Sequence, residues 1–285
     1  MSLRSIQGGV PPQLGVAEYV WVGGNGNFTG DFHTKTRVVQ VFPDDGNGQV
    51  PQIERWTASM GETGERVILS PCYYLPDPLR PQPSFIALCE VKDSQDTPHP
   101  CNTRARLREL VTKRVKGRLL TEWGFRQPFM LESQVSTRDE LRAVEAFLAA
   151  CIDAGVMIHS VSTCPGQPVW EFKTGRRWAE DPKLGQDYPL AACEHLWLAR
   201  YLLGRCALDQ GVELLQVGTG SVFLSTAVMR EDDQALHEGA RRIHEVLGGT
   251  VITRQGYIEY GGLPPNFDPY TVGAHLLETL TRGTP

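Results

Sequence analysis

Two hydrophobic patterns divide the chain. In the first third, apolar and polar residues alternate, which is typical of strands. AEYVWVGG and TKTRVVQVF predict two strands joined by a loop rich in Gly and Asn. FIALCEV predicts another buried strand, and the four prolines of PDPLRPQP before it exclude regular structure there. We therefore expect residues 15–91 to form a small, mostly β domain.

Beyond this region, helical periodicity alternates with short strand patterns. TRDELRAVEAFLAACIDAG predicts a helix that begins with a capping box of Thr137 and Glu140 and ends at Gly155. Its predicted apolar stripe consists of Leu141, Val144, Leu148 and Cys151. PLAACEHLWLARYLLGRCALDQG has the strongest helical pattern of the chain.

The remaining patterns complete the second part. VELLQV and SVFLSTAV predict a hairpin that turns across Gly218 and Gly220. Further strands and helices are predicted from VMIHSVS, VWEFKTG, GYIEYGG, DDQALHEGARRIHEVLGG and DPYTVGAHLLETL.

A basic helix is predicted from TRARLRELVTKRVKG, with Leu107, Leu110 and Val111 on its apolar side. Its cations could form a phosphate-binding patch or a solvated face. The absence of interleaved aromatic residues favours the solvated face.

Composition narrows the classes of protein. The chain has 285 residues, 41% of them hydrophobic and 21% charged, which is ordinary for a folded soluble protein. Its net charge of −5 gives no general attraction to nucleic acid. Since no apolar run approaches the roughly 20 residues that span a membrane, no membrane insertion is expected.

The cysteines and the first residues bear on the compartment. Seven cysteines occur without a CxxC pair, which favours a reducing compartment without disulfides and argues against a zinc site. MSLRSIQGGVPPQLG lacks the apolar segment of a secretory signal. We expect a cytoplasmic or organelle-matrix protein that is not secreted.

Two motifs invite chemical interpretations. Gly23, Gly24 and Gly26 could form a phosphate loop, but a strand follows them rather than a helix, which favours a hairpin loop. Glu171 lies between Trp170 and Phe172 in a predicted strand. It could be a metal ligand, a catalytic acid or the solvated side of that strand.

Several separated segments resemble the motifs of one known family. SFIALCEV is similar to its LVLCEV strand, and PVWEFKTG to its QWEFQIG. EHLWLAR is similar to DHLWVAR, FLSTAVMRED to NFSTKAMREE, and GYIEYGGLPPNFDPYTV to GYFEDRRPSANCDPFSV. In this co-linear order, the segments resemble the eukaryotic-type branch of the glutamine synthetase family.

The resemblance implies an α+β fold. An N-terminal β-grasp domain would comprise residues 1–101, and a truncated catalytic-type domain with a curved antiparallel sheet and helices would comprise residues 102–285. In that family the active site lies between the subunits of a ring. ATP phosphorylates glutamate there, ammonia displaces the phosphate, and divalent metals and arginines balance the charge.

The same resemblance implies positions for the metal ligands. The paired glutamates of the family's FGMEQEYTL strand correspond to WGFRQPFMLE, and we place them at Gln127 and Phe129. Glu132 would serve only after a shift of register. Phe cannot bind a hard cation, and the neutral amide of Gln binds one far more weakly than a carboxylate does.

At other positions of the site, the chain either keeps or replaces the residue that the family has. The glutamates of WEF and GYFE are present as Glu171 and Glu259. Ser221 stands in place of the family's histidine, and Ser59 in place of its ammonium-side aspartate. We therefore expect Glu171 and Glu259 to be vestigial metal ligands, with no catalytic and no cofactor-binding residues.

Insertions and losses affect the loops. Gly261 and Gly262 replace arginines, and TVITRQ, with Arg254, replaces a long segment that carries the family's flap. The insertion RRWAEDPKLGQD offers the carboxylates of Glu180 and Asp181 and the cations of Arg176 and Arg177 as possible substitutes.

Three functions follow from these observations. The first is a pseudoenzyme without a cofactor, with a structural role as a homo-oligomer or as a subunit of a hetero-complex. The second is an ATP- and Mg-dependent ligase that forms a C–N bond on another substrate, with Glu171, Glu180 and Glu259 holding the metal. The third is a sensor of a nucleotide or an amino acid. No nucleic-acid partner is expected.

Overall fold

The structure, a computed structural model, describes residues 12–23, 32–43, 49–60, 64–114, 121–133, 137–164, 166, 168–175 and 188–281. Within these residues, two sheets and six helices form an α+β fold, so the predicted fold class is confirmed at this level. Residues 24–31 of the Gly- and Asn-rich loop and the RRWAEDPKLGQD insertion lie outside the described residues.

The first sheet has six strands in the order β3-β2-β1-β6-β5-β4, with β1 and β6 parallel. These strands are β1 (Gln13–Val22), β2 (Phe32–Pro43), β3 (Gln49–Pro51), β4 (Trp56–Met60), β5 (Glu65–Pro76) and β6 (Ser84–Lys92). Lys35 on β2 donates from Nζ to the carbonyl of Thr57 on β4 over 2.9 Å. Because β2 and β4 are far apart in the strand order, this contact shows that the sheet curls.

The second sheet has the order β12-β13-β11-β7-β9-β8 and is antiparallel. Its strands are β7 (Thr121–Glu132), β8 (Ile158–Thr163), β9 (Trp170–Gly175), β10 (Glu213–Leu215), β11 (Gly220–Thr226), β12 (Thr250–Arg254) and β13 (Tyr257–Leu263). The six helices are α1 (Arg104–Arg114), α2 (Thr137–Ala154), α3 (Tyr188–Asp209), α4 (Ala227–Glu231), α5 (Asp233–Leu247) and α6 (Pro269–Thr281).

The predicted hairpin of β10 and β11 is wrong. Both strands pair with β7: Leu214 of β10 lies opposite Leu131, and Phe223 of β11 lies opposite Gly124. The two strands follow each other along β7, so the residues around Gly218 carry the chain forward instead of reversing it.

Helix α3 lies between the two sheets. Phe32 of the first sheet packs on Trp197 and Tyr201 of α3, with ring centroids 5.5 and 5.4 Å apart. Phe125 and Phe172 of the second sheet belong to the same core. Because α3 is covered from both sides, 18 of its 22 residues are buried, as is typical of a helix without a solvent face.

Helix α2 exists as predicted, and Gly155 ends it with a φ of 76°. Its apolar stripe, however, is confirmed only in part. Val144 and Cys151 are buried, but Leu141 is 46% exposed, and Phe147 is a centre of the core instead.

Helix α1 does not present all its cations to solvent, so the predicted solvated face is wrong for Arg104. Its guanidinium bridges Glu90 of β6 and Glu194 of α3 at 2.5 and 2.6 Å. Arg108 also binds Glu90, at 2.8 Å. The apolar side of α1 is confirmed, since Leu107 and Val111 are buried.

A second ionic cluster joins the first sheet to α3. Arg205 contacts Asp77 at 2.9 Å, and Arg80 binds both Asp77 and Glu18, at 2.8 and 2.6 Å. Asp77 is fully buried, so this cluster fixes the sheet on the helix. Among the helices described, none is long and apolar enough to cross a membrane.

Candidate functional site

Four strands of the second sheet bring one polar side chain each to a common patch. Arg126 of β7 lies opposite Ser221 of β11, and Glu259 of β13 lies opposite Phe223, two residues further along β11. Glu171 of β9 pairs with Pro128 of β7. Side chains alternate across a strand, so these residues share the face that points away from the helices.

Arg126 is the centre of this patch. Its Nε donates to the Ser221 hydroxyl over 2.9 Å. Its Nη1 lies 3.6 Å from an oxygen of Glu171, and its Nη2 lies 3.5 Å from an oxygen of Glu259. Ser221 in turn donates to Glu259 over 3.0 Å. The two carboxylates predicted from the resemblance are thus brought together, with a guanidinium between them.

The placement of the paired glutamates at Gln127 and Phe129 is wrong. Both side chains point into the helical core, and Gln127 is 1% exposed. The amide oxygen of Gln127 accepts from Nε of Arg200 over 3.0 Å. Phe129 packs against Phe172, with ring centroids 5.9 Å apart.

The error is one of register. With WGF laid on FGM, the two glutamates fall on Arg126 and Pro128, which face the patch. A slip of one residue moves every side chain of a strand to the other face. Glu132, the other candidate, lies at the far end of β7 opposite Glu213, about 20 Å along the strand from Arg126.

The electrostatics of the patch do not suit a divalent metal. A guanidinium has five N–H donors and no lone pair to offer a cation, and this one stands between the two acids. Calcium and magnesium require about six oxygen ligands. Among the residues that the structure describes, no group of three His, Cys, Asp or Glu side chains could hold a metal. The residues present therefore do not fit the cation that the resemblance implies.

Neighbouring side chains neutralise the patch further. Lys173 lies 3.4 Å from Glu171. The thiol of Cys164 points at the same carboxylate over 3.9 Å, and burial together with the charge of Glu171 raises its pKa. The remaining candidates, in RRWAEDPKLGQD, fall outside the described residues.

Beside the patch, a cavity of about 160 Å³ opens between β7, β9 and β11. Phe223 and Tyr257 line it, with their rings edge to face at 6.0 Å. Trp123 and Thr174 also line it, but both side chains belong to the buried face of the sheet, where the indole nitrogen and the hydroxyl have no hydrogen-bond partner and are sealed from this space.

The short connection between β12 and β13 is a two-residue turn. Arg254 pairs with Tyr257, and Gly256 within the turn has a φ of 75°. Further along β13, Gly262 has a φ of 81°, where an arginine would be strained. Ser59 lies on β4 of the first sheet, opposite Arg66.

Sequence comparisons identify proteins that are similar to this chain. No protein-family model matches the chain. A glutamine synthetase from Streptomyces viridochromogenes is 27% identical over 80% of this chain and 73% of its own length. A chloroplastic/mitochondrial glutamine synthetase from Arabidopsis thaliana is 28% identical over 70% of this chain and 50% of its own length.

A leaf isozyme from Hordeum vulgare, also chloroplastic, is 25% identical over 95% of this chain and 78% of its own length. The chain spans only 50% to 60% of the length of several other plant and bacterial relatives. All of these relatives carry the same name, glutamine synthetase, and together their matches extend over most of the chain. This protein is related to the glutamine synthetase family.

Proposed function

We propose that this chain is a glutamine synthetase-like pseudoenzyme with a structural or interaction role in a larger assembly. The observation that carries the proposal is the position of the Arg126 guanidinium, within 3.6 Å of both Glu171 and Glu259. These are the two acids that the resemblance assigns to metal. In this chain they balance a cation that belongs to the protein itself.

The charge balance argues against phosphoryl transfer. That chemistry depends on metal ions and arginines placed around the phosphates. Arg126 occupies a position where FGMEQEYTL has a glutamate, and the neighbouring glutamate position is Pro128. Losing one positioned electrostatic group commonly costs about 3 kcal/mol of barrier. Two ligand positions and the histidine position, now Ser221, have changed together, so catalysis at the family's level is not expected.

The loops support the same proposal. A two-residue turn connects β12 to β13, where the family resemblance implies a long flap-bearing segment. The remaining role is then that of the scaffold. We propose a homo-oligomer or a hetero-complex subunit without its own cofactor, in which residues 1–101 form a β-grasp-like domain and residues 102–285 a shortened C-terminal domain.

A specific observation favours one alternative, the nucleotide or amino-acid sensor. The cavity beside the patch is lined by the two aromatic rings of Phe223 and Tyr257. A ligand could stack there without a metal. The ligase alternative would instead need Mg and ATP beside Glu171 and Glu259, which the guanidinium opposes.

Metal binding and turnover test the proposal directly. Titration calorimetry with Mn²⁺ and an assay for phosphate release from Mg-ATP with glutamate and ammonia should both give no signal for the natural chain. Arg126→Glu should acquire Mn²⁺ binding, because three carboxylates then meet at one point. Its melting temperature should rise with Mn²⁺.

Lys173→Glu is the matched control, since it places a carboxylate on the same face but outside the space between the acids. It should gain no comparable binding. Phosphate release by the natural chain, or Mn²⁺ binding that Arg126→Glu does not improve, would contradict the pseudoenzyme. A melting temperature that rises with ATP or glutamate alone would favour the sensor.

A further inference from the structure

A thiol, an imidazole and a carboxylate form a chain of contacts far from the patch described above. Sγ of Cys101 lies 3.0 Å from Nδ1 of His99, and Nε2 of His99 lies 3.4 Å from a carboxylate oxygen of Glu65. All seven cysteines and all seven histidines belong to the described residues. Within them, Cys101 is the cysteine that has an imidazole within hydrogen-bond distance.

The loop fixes the tautomer of this imidazole. The backbone N–H of Cys101 donates to Nδ1 of His99 over 3.3 Å, so Nδ1 is an acceptor. In the neutral ring the proton then lies on Nε2, facing Glu65. The backbone N–H of His99 donates to the carbonyl of Val91 over 3.1 Å, which holds the loop on β6. His99 is therefore oriented as a base toward the thiol of Cys101.

Cys101 also lines a cavity of about 230 Å³ between the first sheet and the helices. Val22 and Leu88 give this cavity an apolar side, and Arg104 gives it a charged one. Because one water molecule takes up about 30 Å³, the space suits an occupant of a few heavy atoms.

Two buried donors in the cavity wall lack a partner. Trp197 is 2% exposed and Tyr270 is 6% exposed, and both line the cavity. Within the described part of the chain, the indole Nε1 and the phenolic oxygen of these residues make no hydrogen bond. These two polar atoms are themselves sealed from solvent, so the rings of Trp197 and Tyr270, and not their polar atoms, form the wall of the cavity.

We propose that Cys101 is a modification site, at which the thiol forms a mixed disulfide with a small thiol compound that occupies this cavity. The oxidant is a low-molecular-weight disulfide. Nδ1 of His99 takes the thiol proton as Sγ attacks one sulfur of the reagent, and the disulfide bond of the reagent breaks. The leaving thiolate takes that proton, so one reagent thiol is released for each adduct formed.

The base is required because the thiol is not ionised in advance. Burial raises the pKa of Cys101, and the charge of Glu65 acts in the same direction. The other two part-buried thiols face an oxygen acceptor and not an imidazole. Cys164 faces Glu171, and Cys72 points at the carbonyl of Leu88.

Reaction with bis(2-hydroxyethyl) disulfide tests the site in the natural chain. After acid quenching, peptide mass spectrometry gives the modified fraction of each cysteine. Cys101 should be modified first, on the order of tenfold faster than Cys164 or Cys72. Equal rates for Cys164 and Cys101 would overturn the proposal.

A variant tests the role of the base. His99→Gln should slow the modification of Cys101 on the order of tenfold, whereas the control His159→Gln should leave it unchanged. An unchanged rate in His99→Gln would overturn the proposal.

Discussion

The two faces of strand β7 carry different kinds of polar contact. On the helix side, the buried amide of Gln127 meets the buried guanidinium of Arg200. On the open side, the part-exposed guanidinium of Arg126 meets two part-exposed carboxylates. The first contact holds the sheet on α3, so a substitution there should lower the stability of the fold. The second contact is partly exposed to solvent, so residues on that face can be substituted with little effect on the stability of the scaffold.

Removing the acceptor of Arg200 should give the largest effect. Gln127→Leu removes the amide oxygen that accepts from a buried guanidinium, and we expect the free energy of unfolding to fall by about 3 kcal/mol. Burial already lowers the pKa of Arg200 to about 9, which reflects the cost of its charge. Urea denaturation at pH 7 measures the change. Gln127→Glu keeps an acceptor and should lose much less; equal losses would contradict the account.

His195 offers a pH-dependent test of the helix side. Its Nδ1 accepts from the backbone of Met157 and its Nε2 contacts the Tyr73 hydroxyl at 2.9 Å. Burial lowers its pKa to about 4, so the unfolded chain binds the proton first as pH falls. Stability should therefore decline between about pH 6.5 and pH 4, by up to about 3 kcal/mol.

Urea denaturation at a series of pH values checks this decline, and His195→Gln should remove it. Tyr73→Phe is the control, because it loses one hydrogen bond, about 1 kcal/mol, without losing the titrating ring. A pH profile for His195→Gln that matches the natural chain would show that another group is responsible.

On the open face, substitution should cost little. Arg126→Met removes the cation between Glu171 and Glu259, but these side chains are part-exposed, so solvent screens the interaction. We expect a loss of about 1 kcal/mol in the free energy of unfolding, measured in urea at low salt. A loss as large as that of Gln127→Leu would remove the distinction between the two faces.

The smallest effect is expected in the backbone of β13. Gly262→Ala should cost about 1 kcal/mol or less, because a side chain is disfavoured at its φ of 81°. Gly261→Ala is matched to it, since its added Cβ would meet its nearest atom at 3.8 Å without a positive φ. Thermal melting of both variants measures the difference, and equal melting temperatures would argue against backbone strain.

The sequence predicts elements well where periodicity is long. Helix α3 and its segment EHLWLAR were predicted from apolar spacing alone, and the burial of α3 on all sides follows from the sheets that cover it. Partner strands are different, because pairing depends on residues distant in sequence. The pairing of β10 with β7 could not be read from VELLQV and SVFLSTAV.

The candidate site was predicted in part, for a similar reason. Glu171 and Glu259 could be placed from short motifs, but Arg126 between them could not. A shift of one residue in the alignment of β7 moves each side chain to the opposite face of the strand. The alternation of buried residues at 123, 125, 127 and 129 was the signal that could have assigned Arg126 to the open face. The ion pairs of Arg104 with Glu90 and Glu194 could not be predicted from the sequence around Arg104, because the two glutamates lie on other elements.

A cation that is tethered to the backbone behaves differently from a dissolved one. Arg126 cannot be stripped from Glu171 and Glu259 by a chelator, and its supply does not vary with the free magnesium of a compartment. EDTA should therefore leave the melting curve of the chain unaltered.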